Sequence, residues 1–189
     1  MTQEFFEAFP TLLALHSTPE IRPQQLTGVP LMYRDKRADF VARYYGIAEK
    51  VGRAFGINPI VILAQSAIES GWGTSNLATN YRNFFGITAY GATNDYWKGG
   101  KYVSTTSNLP FRTYTTVADS FSDFARLLVA KYSTAARASR NVSEYASLIA
   151  SSPYINEQNG DNRAKYKQLI IQNALLITEI RKKFQSLYN

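Results

Sequence analysis

Apolar residues recur at helical spacing over most of this chain, and the spacing predicts a mainly helical fold. Over residues 35–55 the apolar positions share one face, which predicts a long amphipathic helix that Gly56 ends. Asn58 and Pro59 then favour a new helix, because Asn caps a helix start and Pro suits its first turn. Further helices are predicted over 75–81, from Thr116, over 141–149 and over 161–187. In the last of these, Leu169, Leu176, Ile180, Phe184 and Leu187 are predicted to lie on related faces of the helix.

The pattern changes over residues 87–114, where Gly, Thr, Tyr and Trp replace the helical spacing. Gly99, Gly100 and Asn108 are turn-forming residues, so this stretch predicts a small β-hairpin. The sequence therefore predicts a mainly α domain with one small β-hairpin lobe.

Residues 1–34 differ from the rest and are predicted to form an N-terminal arm ahead of a domain at 35–189. The apolar residues between Phe5 and Leu13 predict a short helix, and the Pro- and Gly-containing stretch 18–30 favours an arm on the surface. The first residues lack the basic segment of a secretory signal. We therefore expect either that a signal has been removed or that export follows another route, such as phage lysis or a contact-dependent injector.

Composition excludes several kinds of chemistry. The chain has no cysteine and one histidine, His16, so thiol catalysis and multi-histidine metal sites are excluded. His16 is expected to be structural, and no cofactor or metal is predicted. No apolar run is long enough to span a membrane. The net charge of +7 favours an acidic partner such as nucleic acid, anionic membrane or cell-wall polymer, without choosing among them.

Glu69 is the strongest candidate for chemistry. It ends a strongly apolar predicted helix and lies next to Ile68 and Trp72. Partial burial and the negative end of the helix dipole both raise the pKa of a carboxyl, which suits a general acid. Gly71 and Gly73 would leave space beside it. Physical reasoning alone fits equally well a Glu69 that faces solvent or bonds to a loop.

Two neighbouring segments carry a resemblance to a known family. Residues 64–78 read AQSAIESGWGTSNLA and residues 81–87 read YRNFFGI. Together they resemble the signature of glycoside hydrolase family 73, the bacterial and phage endo-β-N-acetylglucosaminidases that include the hydrolase domain of the flagellar rod-cap protein. The resemblance covers residues 36–185, with further matches at Trp97, at 111–114, at 120–124, at Tyr154 and at Tyr166.

The resemblance implies a lysozyme-like α-lobe that forms a cleft with the β-hairpin lobe. It implies a peptidoglycan hydrolase that cleaves the β-1,4 bond between N-acetylglucosamine and N-acetylmuramic acid. Glu69 would donate the proton to the glycosidic oxygen, and Tyr154 would line the cleft. The candidate substrate-binding residues are Trp72, Asn83, Phe85, Tyr90 and Trp97. Of these, Trp72 is at least as well explained by core packing, and Asn83 and Phe85 by bracing the turn that frames the cleft.

The identity of the second catalytic group stays open. Several family members carry a second glutamate in the hairpin, whereas residues 102–110 here contain no carboxylate. Asp95 is the nearest acid, and a two-carboxylate mechanism would need it about 5 to 9 Å from Glu69. Alternatively, the N-acetyl group of the substrate attacks the anomeric carbon, with a tyrosine stabilising the charge. Attack by water with inversion is a third route.

Three other interpretations compete with the glucosaminidase. A muramidase or lytic transglycosylase would use the same lobe and one Glu, and a non-catalytic glycan-binding module would explain the missing hairpin carboxylate. Nucleic-acid binding is not expected, because Lys and Arg are scattered without a basic-aromatic platform. The expected partners are peptidoglycan strands and a carrier or immunity protein that contacts the N-terminal arm.

Overall fold

The computed structural model describes residues 35–156 and 162–187, which form the predicted mainly α fold with one small sheet. The helices are α1 (Lys36–Phe55), α2 (Pro59–Glu69), α3 (Asn76–Tyr81), α4 (Val117–Lys131), α5 (Ser133–Ala138), α6 (Val142–Ser151) and α7 (Arg163–Leu187). The strands are β1 (Lys101–Val103) and β2 (Pro110–Arg112). The predicted arm at 1–34, with its short helix and His16, lies outside the described residues.

Local capping chemistry fixes where the first two helices begin and end. The side chains of Asp35 and Asn58 each accept a hydrogen bond of 3.0 Å from a backbone N–H in the first turn of α1 and α2. Gly56 ends α1 with a φ of 69°, a left-handed conformation that favours glycine. Pro59 follows in the first turn of α2. The predicted stop and restart are confirmed.

Helix α2 lies at the centre of the fold and packs against α1 and α7. All of its side chains from Val61 to Glu69 are buried. Because no side of the helix faces water, each polar group that it carries needs a partner within the protein. This requirement applies to Gln65, Ser66 and Glu69.

A short antiparallel hairpin forms the β-lobe. Strand β1 pairs with β2 so that Tyr102 lies opposite the buried Phe111. Asn108 supplies a positive φ of 57° in the connecting turn. The Tyr102 ring stacks on Tyr81 with 4.1 Å between ring centroids, which joins the hairpin to the end of α3. The predicted hairpin is confirmed.

The helices after the hairpin begin at side-chain caps. Thr116 and Asp119 form a reciprocal capping box at the start of α4, and Asn141 caps α6. Helix α6 reaches Ser151 rather than the predicted 149. Helix α5 is not predicted by the sequence pattern, because, unlike the equally short α3, it has no side-chain cap to mark its start.

The most deeply buried residues of α7 lie mostly beside the apolar positions that the spacing singles out. Tyr166, Ile170, Ala174, Ile177 and Ile180 are buried, whereas Leu169, Leu176 and Phe184 are only partly buried. Apolar residues stand side by side at 169–171 and 175–177, so their spacing does not select one face. Packing against α2 and α6 selects it instead. Leu169, Leu176 and Phe184 therefore pack against the edge of the core, and Ile180 lies within it.

Candidate active site

Glu69 is the last residue of α2, and it is only 9% exposed. Its carboxyl therefore lies at the negative end of the helix dipole. The chain then turns sharply, with positive φ at Gly71, Trp72 and Gly73 of 58°, 61° and 75°. A Cβ on Gly73 would lie 3.1 Å from the ring of Phe40. Glycine is thus needed at this position for the loop to pass close to α1.

Two tyrosine hydroxyls approach the same oxygen of Glu69. The hydroxyl of Tyr166 donates to Oε1 at 2.6 Å, and the hydroxyl of Tyr154 lies 3.4 Å from Oε1. Both tyrosines are buried. Burial favours the neutral form of a carboxyl, whereas donated hydrogen bonds favour the charged form. The proton equilibrium at this site therefore depends on these hydroxyls.

The turn after α6 and the first turn of α7 position the two tyrosines. The Ser152 hydroxyl accepts a 3.1 Å hydrogen bond from the backbone N–H of Tyr154. The guanidinium of Arg163 donates to the carbonyl oxygens of Ala150 and Ser152 at 2.8 and 3.2 Å. These bonds tie the end of α6 to the start of α7, one turn before Tyr166.

A second layer of buried polar groups lies behind the carboxyl. Gln65 stands one helical turn before Glu69 and is fully buried. Its Nε2 donates to the hydroxyl oxygen of Tyr166 at 3.1 Å, and its Oε1 accepts a hydrogen bond from the hydroxyl of Tyr145 on α6. A continuous hydrogen-bonded chain thus runs through α6, α2 and α7 and ends at Glu69.

The three tyrosines of this buried cluster are held in the protonated state. Burial raises the pKa of Tyr145, Tyr154 and Tyr166 well above the ordinary value for tyrosine. Proximity to Glu69 raises the pKa of Tyr154 and Tyr166 further. All three therefore keep a proton to donate at neutral pH.

A buried ion pair holds the β-lobe on the helices. The carboxylate of Asp123 on α4 is fully buried and accepts a 2.6 Å hydrogen bond from Arg112 on β2. It also accepts hydrogen bonds from Tyr114, Arg126 and Asn94 at 2.9, 2.9 and 3.1 Å. One carboxylate therefore joins β2, α4 and the loop that precedes β1.

The same arginine holds the loop that carries Tyr90 and Trp97. The guanidinium of Arg112 lies 4.1 Å from the centre of the Trp97 ring and donates to the backbone oxygen of Tyr90 at 2.8 Å. The indole N–H of Trp97 donates to the carbonyl of Gly100 at 2.7 Å. Trp97 is only 4% exposed, so it mainly fixes the base of the hairpin.

Residues 35–156 and 162–187 contain no group of His, Asp and Glu side chains that could hold a metal ion. No helix within these ranges is long and apolar enough to cross a membrane.

The glucosaminidase family, described as mannosyl-glycoprotein endo-beta-N-acetylglucosaminidase, matches residues 45–177. The chain belongs to this family. The resemblance to glycoside hydrolase family 73 in the residues around Glu69 is thereby confirmed, and with it the expectation of a glycosidase.

Curated relatives extend the match. The peptidoglycan hydrolase FlgJ of Vibrio parahaemolyticus is 35% identical over 107 residues, which cover 50% of this chain and 33% of FlgJ. A probable N-acetylmuramidase of Lactococcus lactis subsp. cremoris is 32% identical over 119 residues, 60% of this chain and 27% of that protein. The chain thus spans about a third of the length of these relatives.

Solved structures share the fold. The glycoside hydrolase domain of Salmonella typhimurium FlgJ has a TM-score of 0.62 at 25% identity, covering 82% of this chain and 95% of that domain. A type VI secretion system effector–immunity complex from Pseudomonas protegens has a TM-score of 0.55 at 19% identity, covering 75% of this chain and 93% of that one. The predicted lysozyme-like fold is confirmed.

The structure brings some of the predicted site residues together and leaves others apart. Glu69 and Tyr154 meet in one buried cluster. Trp72 follows Glu69 in the loop and is partly exposed, with its ring edge-on to Phe40 at 5.5 Å. Asp95 is exposed on the loop ahead of the hairpin, with the partly buried Tyr90 earlier in the same stretch.

Asn83 and Phe85 are enclosed in the turn after α3. The side chain of Asn83 donates to the backbone oxygens of Ile87 and Arg112 at 2.8 and 2.9 Å. The Phe85 ring stacks on Phe124 with 3.9 Å between centroids. Both residues are almost fully buried. This environment fits the bracing role, and direct contact with substrate would require the turn to open.

Three residues of the buried cluster were not among the predicted site residues, namely Gln65, Tyr145 and Tyr166. One signal in the sequence points to Gln65, which stands four residues before Glu69 in an otherwise apolar helix. Residues at this spacing share a helix face, so both polar side chains must find buried partners on the same side. Which tyrosines supply them depends on the packing of α6 and α7.

Proposed function

We propose that this domain hydrolyses peptidoglycan by cleaving the β-1,4 bond between N-acetylglucosamine and N-acetylmuramic acid, with Glu69 as the general acid. The enclosed carboxyl of Glu69, with the hydroxyls of Tyr154 and Tyr166 at one oxygen, is the observation that carries the proposal. The substrate class is inferred from relatives named peptidoglycan hydrolase.

Glu69 is suited to hold a proton and then release it to the glycosidic oxygen. Enclosure and the C-terminal end of α2 favour the neutral carboxylic acid before the reaction. As the bond between the anomeric carbon and the glycosidic oxygen breaks, the proton moves from Glu69 to the leaving oxygen. Tyr154 then lies beside the developing charge and helps to hold the reacting sugar.

As the second catalytic group we favour the acetamido group of the substrate over Asp95. Asp95 is exposed on a loop, whereas N-acetylglucosamine carries its own nucleophile. The acetamido oxygen would bond to the anomeric carbon as the leaving group departs, which closes a second ring on the sugar. Water would later attack the anomeric carbon and open that ring. Proton NMR of the product tests the route. Retained configuration at the anomeric carbon is expected, and inversion would exclude it.

Replacing Glu69 by glutamine tests the central proposal. The amide cannot donate an acidic proton, so release of fragments from purified cell walls should fall by about a hundredfold or more. The matched control is Glu144→Gln, the same substitution at an exposed position in the first turn of α6, which should keep full activity. Wild-type rates for Glu69→Gln would refute the catalytic role.

Muramidase activity is the second candidate, because two of the relatives compared differ in the activity that their names state. Mass spectrometry of the released muropeptides separates the candidates. A reducing N-acetylglucosamine end identifies a glucosaminidase, and a reducing muramic acid end identifies a muramidase. An anhydro-muramic end indicates a lytic transglycosylase, and wall binding without release indicates a glycan-binding module.

The proposed place of action is the periplasm or the cell wall, where the substrate lies. For residues 1–34 we propose contact with a carrier or an immunity protein. The structural similarity to a component of an effector–immunity complex motivates this proposal. Comparing the full chain with residues 35–189 on purified walls tests it. Equal rates fit a docking arm, whereas a faster truncated chain would show that the arm covers the cleft instead.

A further inference from the structure

We propose that Tyr145, Gln65 and Tyr166 form a one-directional hydrogen-bond chain that holds the carboxyl of Glu69 for proton transfer. The proposal rests on the proposed function, because it assumes that Glu69 is the general acid. Tyr145, Gln65 and Tyr166 are positioning residues in this scheme and act on the substrate only through Glu69.

The direction of the chain begins at Tyr145. Its side chain is fully buried, and its hydroxyl hydrogen-bonds to Oε1 of Gln65. A buried hydroxyl without an acceptor is costly, so the hydroxyl of Tyr145 must donate its hydrogen bond to Oε1 of Gln65. Turning the amide over would place its NH₂ group against Tyr145 and leave that proton without an acceptor. Tyr145 therefore fixes the orientation of the Gln65 amide.

The fixed amide then determines what Tyr166 can do. Nε2 of Gln65 donates to the hydroxyl oxygen of Tyr166, and Tyr154 interacts with the same hydroxyl. A tyrosine hydroxyl has a single proton. With its oxygen accepting from Gln65, the proton of Tyr166 is directed to Oε1 of Glu69 at 2.6 Å. Oε1 is thus held as an acceptor, and the carboxyl keeps one orientation.

The chain also affects the ionisation of Glu69. Tyr154 and Tyr166 are ionisable groups whose hydroxyls face Glu69 from the turn after α6 and from α7, and Tyr145 lies behind Gln65. Donation to Glu69 favours its charged form and opposes the effect of burial. Loss of this donation should therefore let Glu69 keep its proton to higher pH.

Phenylalanine substitutions in the full chain test the proposal through the pH dependence of kcat and kcat/KM. In Tyr166→Phe the alkaline limb, which reports loss of the proton from the general acid, should move up by about one pH unit. In Tyr145→Phe the freed amide can turn over and compete for the proton of Tyr166. The limb should then move in the same direction by less, with kcat lowered and KM nearly unchanged.

Tyr114→Phe is the matched control. It also removes a buried tyrosine hydroxyl that donates to a carboxylate, Asp123, at 2.9 Å. It should cost stability and leave the alkaline limb where it is. A merely structural role for Tyr166 and Tyr145 predicts the same behaviour for all three variants.

Carbon-13 NMR of the Glu69 carboxyl gives a readout that does not require activity. The midpoint of its titration should rise in Tyr166→Phe and, by less, in Tyr145→Phe. Circular dichroism checks folding, and Tyr145→Phe carries the test if Tyr166→Phe does not fold. If the midpoint of the Glu69 titration and the alkaline limb of the pH profile are unchanged in the folded variants, the proposed hydrogen-bond chain is refuted. The proposed function would still stand. Full activity of Glu69→Gln would instead overturn the proposed function.

Discussion

The Asp123→Ala substitution removes the charge that holds the β-lobe on the helices. The carboxylate of Asp123 is fully buried, and the side chain of its partner Arg112 is only 7% exposed. Alanine would leave the guanidinium of Arg112 buried without its counter-ion. It would also leave the hydroxyl of Tyr114, which donates to Asp123 at 2.9 Å, without that acceptor.

The expected loss is about 4 kcal/mol in the free energy of unfolding. Removal of one partner from a buried ion pair costs about 3 to 5 kcal/mol. Arg112 keeps hydrogen bonds to the carbonyl oxygens of Thr88 and Tyr90 and its contact with the Trp97 ring, which limits the loss. The side chain of Arg126 is 34% exposed and can turn to water, so it adds less than about 1 kcal/mol. The midpoint of thermal unfolding should fall by roughly 8 to 16 °C.

Urea unfolding, followed by circular dichroism and tryptophan fluorescence, measures this loss. Asp119→Ala is the control in the same helix, because Asp119 is partly exposed and serves in the capping box. Asp119→Ala should lower the free energy of unfolding by only about 1 kcal/mol. Equal losses for the two variants would refute the reasoning, since they would mean that burial of the Arg112–Asp123 pair has no special effect.

Three further results are expected. Gly73→Ala should lower the free energy of unfolding in urea by about 2 to 4 kcal/mol, because Gly73 has a positive φ and lies near the Phe40 ring. Gly46→Ala is the control, because nothing lies near its Cβ, and it should stabilise α1 by about 1 kcal/mol. Burial raises the pKa of Tyr145 and Tyr166 in the folded state, so these tyrosines ionise more readily in the unfolded chain. The free energy of unfolding should therefore be unaffected by tyrosine ionisation below about pH 10 and should then fall by about 1.4 kcal/mol per pH unit for each buried tyrosine. A urea midpoint equal at pH 9 and pH 11 would contradict this. Hydrolysis of anionic walls should slow as salt rises to about 0.5 M, given the net charge of +7, and a salt-independent rate would exclude electrostatic attraction.

Local chemistry made the limits of the helices predictable from sequence. Asn58, Thr116 and Asn141 are caps, and Gly56 adopts the left-handed conformation at the end of α1. These signals lie within a few residues of the backbone groups that they satisfy, so they are visible without knowledge of the fold. The predicted hairpin follows from turn residues in the same way.

The sequence alone also identified the family and singled out Glu69, because the residues around it are contiguous along the chain. The apolar helix and the glycine-containing loop are both visible in residues 59–73. The candidate tyrosine at 154 came from the resemblance and not from its spacing.

Only the tertiary structure decided which groups surround Glu69. Gln65 is separated from Tyr145 by 80 residues and from Tyr166 by 101 residues, yet both tyrosines hydrogen-bond to its amide. The most deeply buried face of α7 was also not selected by spacing, because apolar residues occur on adjacent sides of that helix. Helical periodicity indicates that a side is apolar, but the packing of α2, α6 and α7 sets the rotation of each helix. That rotation decides which hydroxyl meets which carboxyl, and no local pattern encodes it.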